Sequence, residues 1–167
     1  WWFSSSDRSY HALETTECDC GFQDSLAHIN EVFRTQGPFD GVFAFSQGAC
    51  LAAMLCKLAS NQDGADTNLE EIRKKYDSIK FKFSILVAGF KSGQTQHRVF
   101  FDQNIKSSIP TLHVIGEIDK VIPCDMSTSL LDYFDKPSVF RHTGGHCVPV
   151  NAEAKNTYIE FFNKVSN

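Results

Sequence analysis

Three residues of the chain have the types and the order needed to cleave an acyl bond. Ser46 ends the apolar run V-F-A-F, Asp119 sits in G-E-I-D-K just after T-L-H-V-I, and His146 closes H-T-G-G-H-C after a short apolar stretch. A serine hydroxyl is a weak nucleophile until a base removes its proton during attack. An imidazole, with an ordinary pKa of about 6.5, suits that task near neutral pH. A buried carboxylate then fixes the imidazole tautomer and stabilises the imidazolium. Ser, Asp, His is one of the chain orders in which this chemistry is found.

The neighbours of Ser46 fit a nucleophile on a tight strand-to-helix turn. Such a turn is expected to bring the residues two before and two after into close contact, so both should be small, as Ala44 and Gly48 are. The turn presents the hydroxyl at a helix N-terminus, where the free N–H of Gln47 can help bind the oxyanion of a tetrahedral intermediate. Each residue also has a plainer reading. A serine between strand and helix is often an N-cap. Asp119 could serve only its own turn, and Asp125 is the rival acid, although it follows Pro123 and reads as a helix-start residue. Among the histidines, His113 falls inside an expected strand and His142 is still attached to one. His146 sits on a Gly144-Gly145 loop that can carry its ring to Ser46. His142 and His146 are four apart with Cys147 adjacent, but two intervening glycines disfavour the helix that a metal-binding pair would need. With no G-x-G-x-x-G either, neither a metal nor another cofactor is expected.

Elements must place these residues, and the chain supplies them in alternation. Phe22, Leu26, Ile29, Val32 and Phe33 recur at helical spacing until Gly37-Pro38. Asp40-Gly41 leads into V-F-A-F, read as a buried strand. The segment after Ser46, Q-G-A-C-L-A-A-M-L-C-K-L-A, is apolar nearly all round and predicts a deeply buried helix. Asn61–Asn68 is a polar loop. Phe81–Gly89 and Thr111–Ile115 predict two more strands, with Lys91–Ser108 between them as a polar excursion carrying part of a binding site. Pro123 with Asp125 or Ser127 opens a helix through Leu130, Leu131 and Phe134. A short strand at Ser138–Arg141 and a helix carrying Tyr158, Phe161, Phe162 and Val165 follow. The pattern predicts an α/β fold with a mostly parallel sheet covered on both faces, and sites at the carboxyl ends of its strands.

Bulk properties narrow the partners. A chain of 167 residues suits a single domain spanning 1–167. A formal charge of −4 argues against nucleic acid, which needs clustered cations. The one basic cluster, Arg73-Lys74-Lys75 behind Glu70-Glu71, reads as a solvated helix face. No apolar run approaches the ~18–20 residues of a membrane span, and the start, W-W-F-S-S-S-D-R, lacks the pattern of a signal peptide. The cysteines Cys18, Cys20, Cys50, Cys56, Cys124 and Cys147 are not spaced as a zinc ribbon or disulfide scaffold. A cytoplasmic, reduced protein is expected. Because it begins with Trp1, the chain is read as a processed product or a piece of something longer.

G-P-F-D-G-V-F-A-F-S-Q-G-A, followed by G-E-I-D-K-V-I-P and T-G-G-H-C-V-P, resembles the FSH-type serine hydrolases, esterase-like members of the α/β-hydrolase fold, with the ovarian-cancer-associated-gene-2 branch as the nearest likeness. The resemblance implies Ser46 as nucleophile, Asp119 as acid and His146 as base, with Ala44 where the family typically has glycine. It implies a small-molecule carboxylic ester with an apolar acyl chain as substrate, in a pocket that Trp1, Trp2, Phe3 and Phe90 could line. It further implies earlier strands and a glycine-bearing loop before Trp1, the source of a second oxyanion N–H. The chain is therefore expected to be a partial domain with half an oxyanion hole, and losing one such donor costs on the order of 10²–10³ in rate. An acyl-protein thioesterase-like hydrolase and a non-catalytic binding module of the same fold are the alternatives.

Overall fold

Four short apolar runs become strands: β1 (Gly41–Phe45), β2 (Phe83–Val87), β3 (Thr111–Gly116) and β4 (Ser138–His142). They form one sheet in the order β1-β2-β3-β4, with every neighbouring pair parallel. The structure, a computed structural model, describes residues 1–18, 20–60 and 67–166. Parallel neighbours need crossovers: helices supply those from β1 to β2 and from β3 to β4, and a segment with a single 3-10 turn joins β2 to β3. In chain order the helices are α1 (Phe22–Gln36), α2 (Gln47–Ala59), α3 (Thr67–Lys75), α4 (Cys124–Ser129) and α5 (Ala152–Ser166), with 3-10 turns at Thr95–Phe100 and Leu130–Tyr133.

The two-residue period of the strands divides the core. Ile85 and Val87 of β2 join Leu112, Val114 and Phe140 in a cluster closed by Ala154 and Phe161 of α5. Leu86, between them in sequence, joins the larger cluster on the opposite face with Phe22, Leu26, Ala49, Met54, Leu69 and Phe90. The result is three layers, with α5 on one side of the sheet and α1, α2 and α3 on the other. Helix α2 is buried at every position from Ala49 to Leu58, which explains why its sequence is apolar all round. Each large side chain so buried contributes about 1.5–3 kcal/mol. Registers align Phe45 with Val87, Val87 with Val114, and Val114 with Phe140. The residues that follow these strands therefore emerge at one edge of the sheet.

Several elements differ from expectation for identifiable reasons. The strand expected over Phe81–Gly89 is limited to Phe83–Val87, because Ala88 takes a positive φ of 49° and turns the chain. The helix expected to run through Phe134 stops at Ser129. There Thr128 Oγ1 donates to Cys124 O at 2.7 Å and Ser129 Oγ to Met126 O at 2.8 Å, bonds that compete with continued helix. Of the expected loop Asn61–Asn68, Thr67 and Asn68 open α3, and residues 61–66 lie outside the described residues. The basic cluster is not wholly a solvated face. The Arg73 side chain is only 12% exposed, donates from Nε and Nη2 to Lys57 O at 3.0 and 2.8 Å, and pairs with Glu70 at 2.5 Å. Lys57 is itself buried, with its ammonium donating to the carbonyls of Asp102 and Ile105. That burial pushes its pKa down to about 8. None of the six cysteines is joined in a disulfide. Among the described residues no helix is long and apolar enough to cross a membrane, and no cluster of metal-ligating side chains occurs.

Candidate active site

At the end of β1 the chain turns sharply into α2, and Ser46 is the residue that turns. It holds φ 56° and ψ −123°, a conformation that a side chain rarely adopts. Two backbone bonds fasten it: Ser46 N donates to Val87 O at 2.9 Å, and Ser46 O accepts from Cys50 N at 3.0 Å. Its hydroxyl makes no capping bond to α2, so the plain N-cap reading does not describe it. The hydroxyl lies instead 3.0 Å from Nε2 of His146. Gln47 begins α2, so its N–H lacks an acceptor within the helix. Its side chain donates to Trp2 O at 2.8 Å and ties the N-terminal segment to the turn.

The other ring nitrogen of His146, Nδ1, lies 2.8 Å from Asp119 Oδ2. The second carboxylate oxygen, Oδ1, accepts from the backbone N–H groups of Val121 and Ile122 at 2.8 and 2.9 Å. The Asp119 side chain is 2% exposed. Burial by itself would raise its pKa, but the bonds from His146, Ile122 and Val121 outweigh it and hold the carboxyl below its ordinary value. Asp119 is thus an ionised acceptor, which favours the tautomer with the proton on Nδ1 and the Nε2 lone pair turned toward Ser46. The chain Ser46–His146–Asp119 can deprotonate the hydroxyl during attack on a carbonyl carbon.

The rival residues lie elsewhere. Asp125 is exposed in the first turn of α4, where its Oδ1 accepts from Met126 N. His113 is buried in β3 against the Phe134 ring, and His142 ends β4 with Nδ1 accepting from Gly144 N.

Two positioning residues escaped sequence reasoning. Gly116, at the end of β3, lies so near the histidine loop that a Cβ there would meet Gly145 O at 2.6 Å and Gly144 O at 2.8 Å. Only a glycine lets the loop settle against the sheet; a glycine inside a strand pattern is the available signal for such close approach. The Phe45 ring packs against His146, centroids 4.7 Å apart, and nothing in an apolar run singles it out. Gly48, by contrast, is not held small by its neighbours. A Cβ there would meet nothing closer than the Trp1 indole at 4.0 Å, so the turn does not need glycine at that position.

Gly48 instead lies on the wall of a cavity of about 620 Å³, together with Trp1, Ile29 and Leu51 and the polar Asp24 and His28 of α1. Of the four aromatics expected at a pocket wall, only Trp1 lies on this one. Trp2 and Phe90 are 0% and 1% exposed and belong to the core, where Trp2 packs edge-on against Tyr10, Phe22 and His97. Phe3 is half-buried, away from that wall. The large apolar area of Trp2 and Phe90 is better removed from water in the core than left on a solvent-open wall.

A parallel sheet under helices, with a serine on a strained turn at the carboxyl end of a strand, is the architecture of the α/β-hydrolase class. The solved acyl-protein thioesterase 2 of Zea mays superposes with a TM-score of 0.60 at 17% identity, covering 88% of this chain and 65% of that one. A predicted CIB-like hydrolase from Thermoplasma acidophilum superposes with a TM-score of 0.58 at 17% identity, covering 96% and 67%. Within that class, the serine hydrolase (FSH1) family model matches residues 1–158, and the chain belongs to this family. It is 40% identical over 162 residues to the esterase CG5412 of Drosophila melanogaster, across 97% of this chain and 53% of the relative. It is 40% identical over 165 residues to the esterase OVCA2 of Xenopus tropicalis, across 98% and 65%, and 33% identical to human esterase OVCA2, across 98% and 67%. The chain thus spans about half to two thirds of the length of these relatives.

Proposed function

We propose that this chain carries the acyl-transfer centre of a serine carboxylesterase. The observation that supports it most is the unbroken hydrogen-bonded series from Ser46 through His146 to Asp119, set on a strained turn. In this reading the Ser46 oxygen attacks the ester carbonyl while its proton passes to His146 Nε2. The carbonyl oxygen becomes an oxyanion, with the Gln47 N–H as one donor. Collapse breaks the bond to the alkoxy group, which leaves as an alcohol carrying the proton from His146. Water then attacks the acyl-enzyme, its proton goes to His146, and the acid departs as Ser46 regains the proton. Asp119 stabilises the imidazolium in both halves without accepting the proton.

The cavity beside Gly48, two residues on from Ser46, sets Trp1, Ile29 and Leu51 beside the polar Asp24, Ser25 and His28, and none of Ser46, Asp119 and His146 lines it; its apolar side supports an apolar acyl chain in a small-molecule ester. Six cysteines outside any disulfide fit a reducing compartment such as the cytoplasm. A fluorophosphonate probe should label the protein at Ser46, and Ser46→Ala should abolish both labelling and ester turnover. Labelling that persists in the variant would remove Ser46 from the role. A wild-type protein that never labels would favour the non-catalytic binding module.

A further inference from the structure

We propose that a second cavity, walled by none of the residues of the Ser46 site, binds a small organic anion through its carboxylate or phosphate group. The cavity holds about 350 Å³, at the lower end of small-molecule sites. It opens just beyond the carboxyl end of β2, within the polar excursion that joins β2 to β3.

Charge is the first observation. Lys91 and Arg98 both line the cavity, and no acidic side chain lines it among the described residues. Neither cation forms a salt bridge with a described residue; Lys91 Nζ lies only over the Tyr133 ring, 5.8 Å from its centroid. Two like charges on one wall repel, and an anion between them turns that repulsion into attraction.

The second observation is independent of charge. Gln94 also lines the cavity, yet is 2% exposed. The Ser92 hydroxyl donates to its Oε1 and lies 2.7 Å from His97 Nδ1. The carboxamide oxygen is therefore engaged, and the NH₂ group, which has no hydrogen-bond partner among the described residues, is left as a donor on the cavity wall. Such a donor is strong toward an anion.

The wall is also preformed. Thr16 N donates to Gly93 O at 3.3 Å and Thr95 N to Thr16 O at 3.0 Å. A Cβ on Gly93 would meet Glu14 O at 2.0 Å, so the two segments are locked together at closest approach. Thr15 adds a hydroxyl and Phe101 an apolar surface, which suits an anion carried on a short organic body. The proposal is independent of the esterase reading, and its test uses no turnover.

Thermal unfolding of the chain would be followed near neutral pH in sodium phosphate, sodium acetate and sodium chloride at matched ionic strength. Phosphate or acetate should raise Tm saturably, and chloride should not. The double variant Lys91→Met, Arg98→Met changes only exposed side chains. It should keep the far-ultraviolet circular dichroism of the parent and weaken the apparent affinity at least about tenfold, as expected for losing charge-assisted contacts. In the parent, the side-chain NH₂ resonances of Gln94 should shift with the same titration. Tighter phosphate identifies a phosphorylated ligand, and tighter acetate a carboxylic acid. An equal effect of chloride, no saturable effect, unchanged affinity in the double variant or a silent Gln94 carboxamide would each overturn the site.

Discussion

Ser46 keeps φ 56° and ψ −123° at a cost of about 1–3 kcal/mol for a non-glycine residue. The strain aims the hydroxyl at His146 instead of at the helix it precedes. Glycine relieves such strain, so Ser46→Gly should be more stable than Ser46→Ala by about 1 kcal/mol. Both variants lose the hydroxyl and its bond to His146, which isolates the backbone effect. Equal urea midpoints for the two would show that the turn is unstrained. Asp119 supports a second residue-level prediction. Asp119→Asn can still accept from Val121 and Ile122, but its NH₂ group facing His146 Nδ1 would favour the wrong tautomer. Fluorophosphonate labelling should slow steeply, toward the ~10⁴-fold loss known for the analogous change in serine proteases, while the urea midpoint moves far less. A labelling rate near that of the parent would show that Asp119 does not orient the base.

At the scale of elements, the strand ends and the loops that follow them decide whether the three side chains meet. Gly116 lets the loop carrying His146 approach β3, and Glu117 N donates to His142 O at 2.9 Å to hold it there. Gly116→Ala should therefore lower stability by about 1–3 kcal/mol, the usual cost of an overpacked site. It should also slow Ser46 labelling, because relief of the clash moves His146. Gly48→Ala should act in the opposite direction on stability. Space is open there, and alanine favours a helix by up to about 1 kcal/mol over glycine. Denaturant melts of the two variants, compared side by side, test whether glycine is needed at the histidine loop and not at the first turn of α2.

For the molecule as a whole, the buried histidines make stability depend on pH. His97, packed among Trp2, Phe22 and Phe100, has its pKa pushed down to about 4 by burial, and His113 is pushed down to about 3 for the same reason. Both folded-state values lie below the ordinary histidine value of about 6.5. As pH falls below that value the unfolded chain takes up protons that the native state refuses, so stability declines from about pH 6.5 toward pH 3–4. A tenfold difference in proton affinity between the two states is worth about 1.4 kcal/mol, so the loss reaches several kcal/mol. Asp119 acts in the same sense at lower pH: its lowered pKa stabilises the fold above the unfolded value of about 3.9, and that contribution is lost as pH falls below it. Urea midpoints should thus fall between pH 7 and pH 4.5 through the histidines, and His97→Phe should flatten that slope. An unchanged slope in the variant would place the effect elsewhere.

Much of this was legible in the order of residue types. Alternating apolar runs and helical periods point to a parallel sheet covered on both faces, although β1, expected to be buried, is an edge strand with Phe43 52% exposed. The rule that sites form at strand ends then directs attention to Ser46, Asp119 and His146. Whether these three meet is a matter of distances across 27 and 100 positions of chain, which the register of β1 to β4 and the approach allowed by Gly116 decide. Tertiary packing alone separates Trp1, on a cavity wall, from Trp2, one residue later in the core. The same packing seats Arg73 on Lys57 O and gathers Lys91, Arg98 and Gln94 around one cavity. Sequence period determines which face of an element is apolar; only the folded chain decides what that face meets, because burial and charge pairing are properties of neighbours distant along the chain.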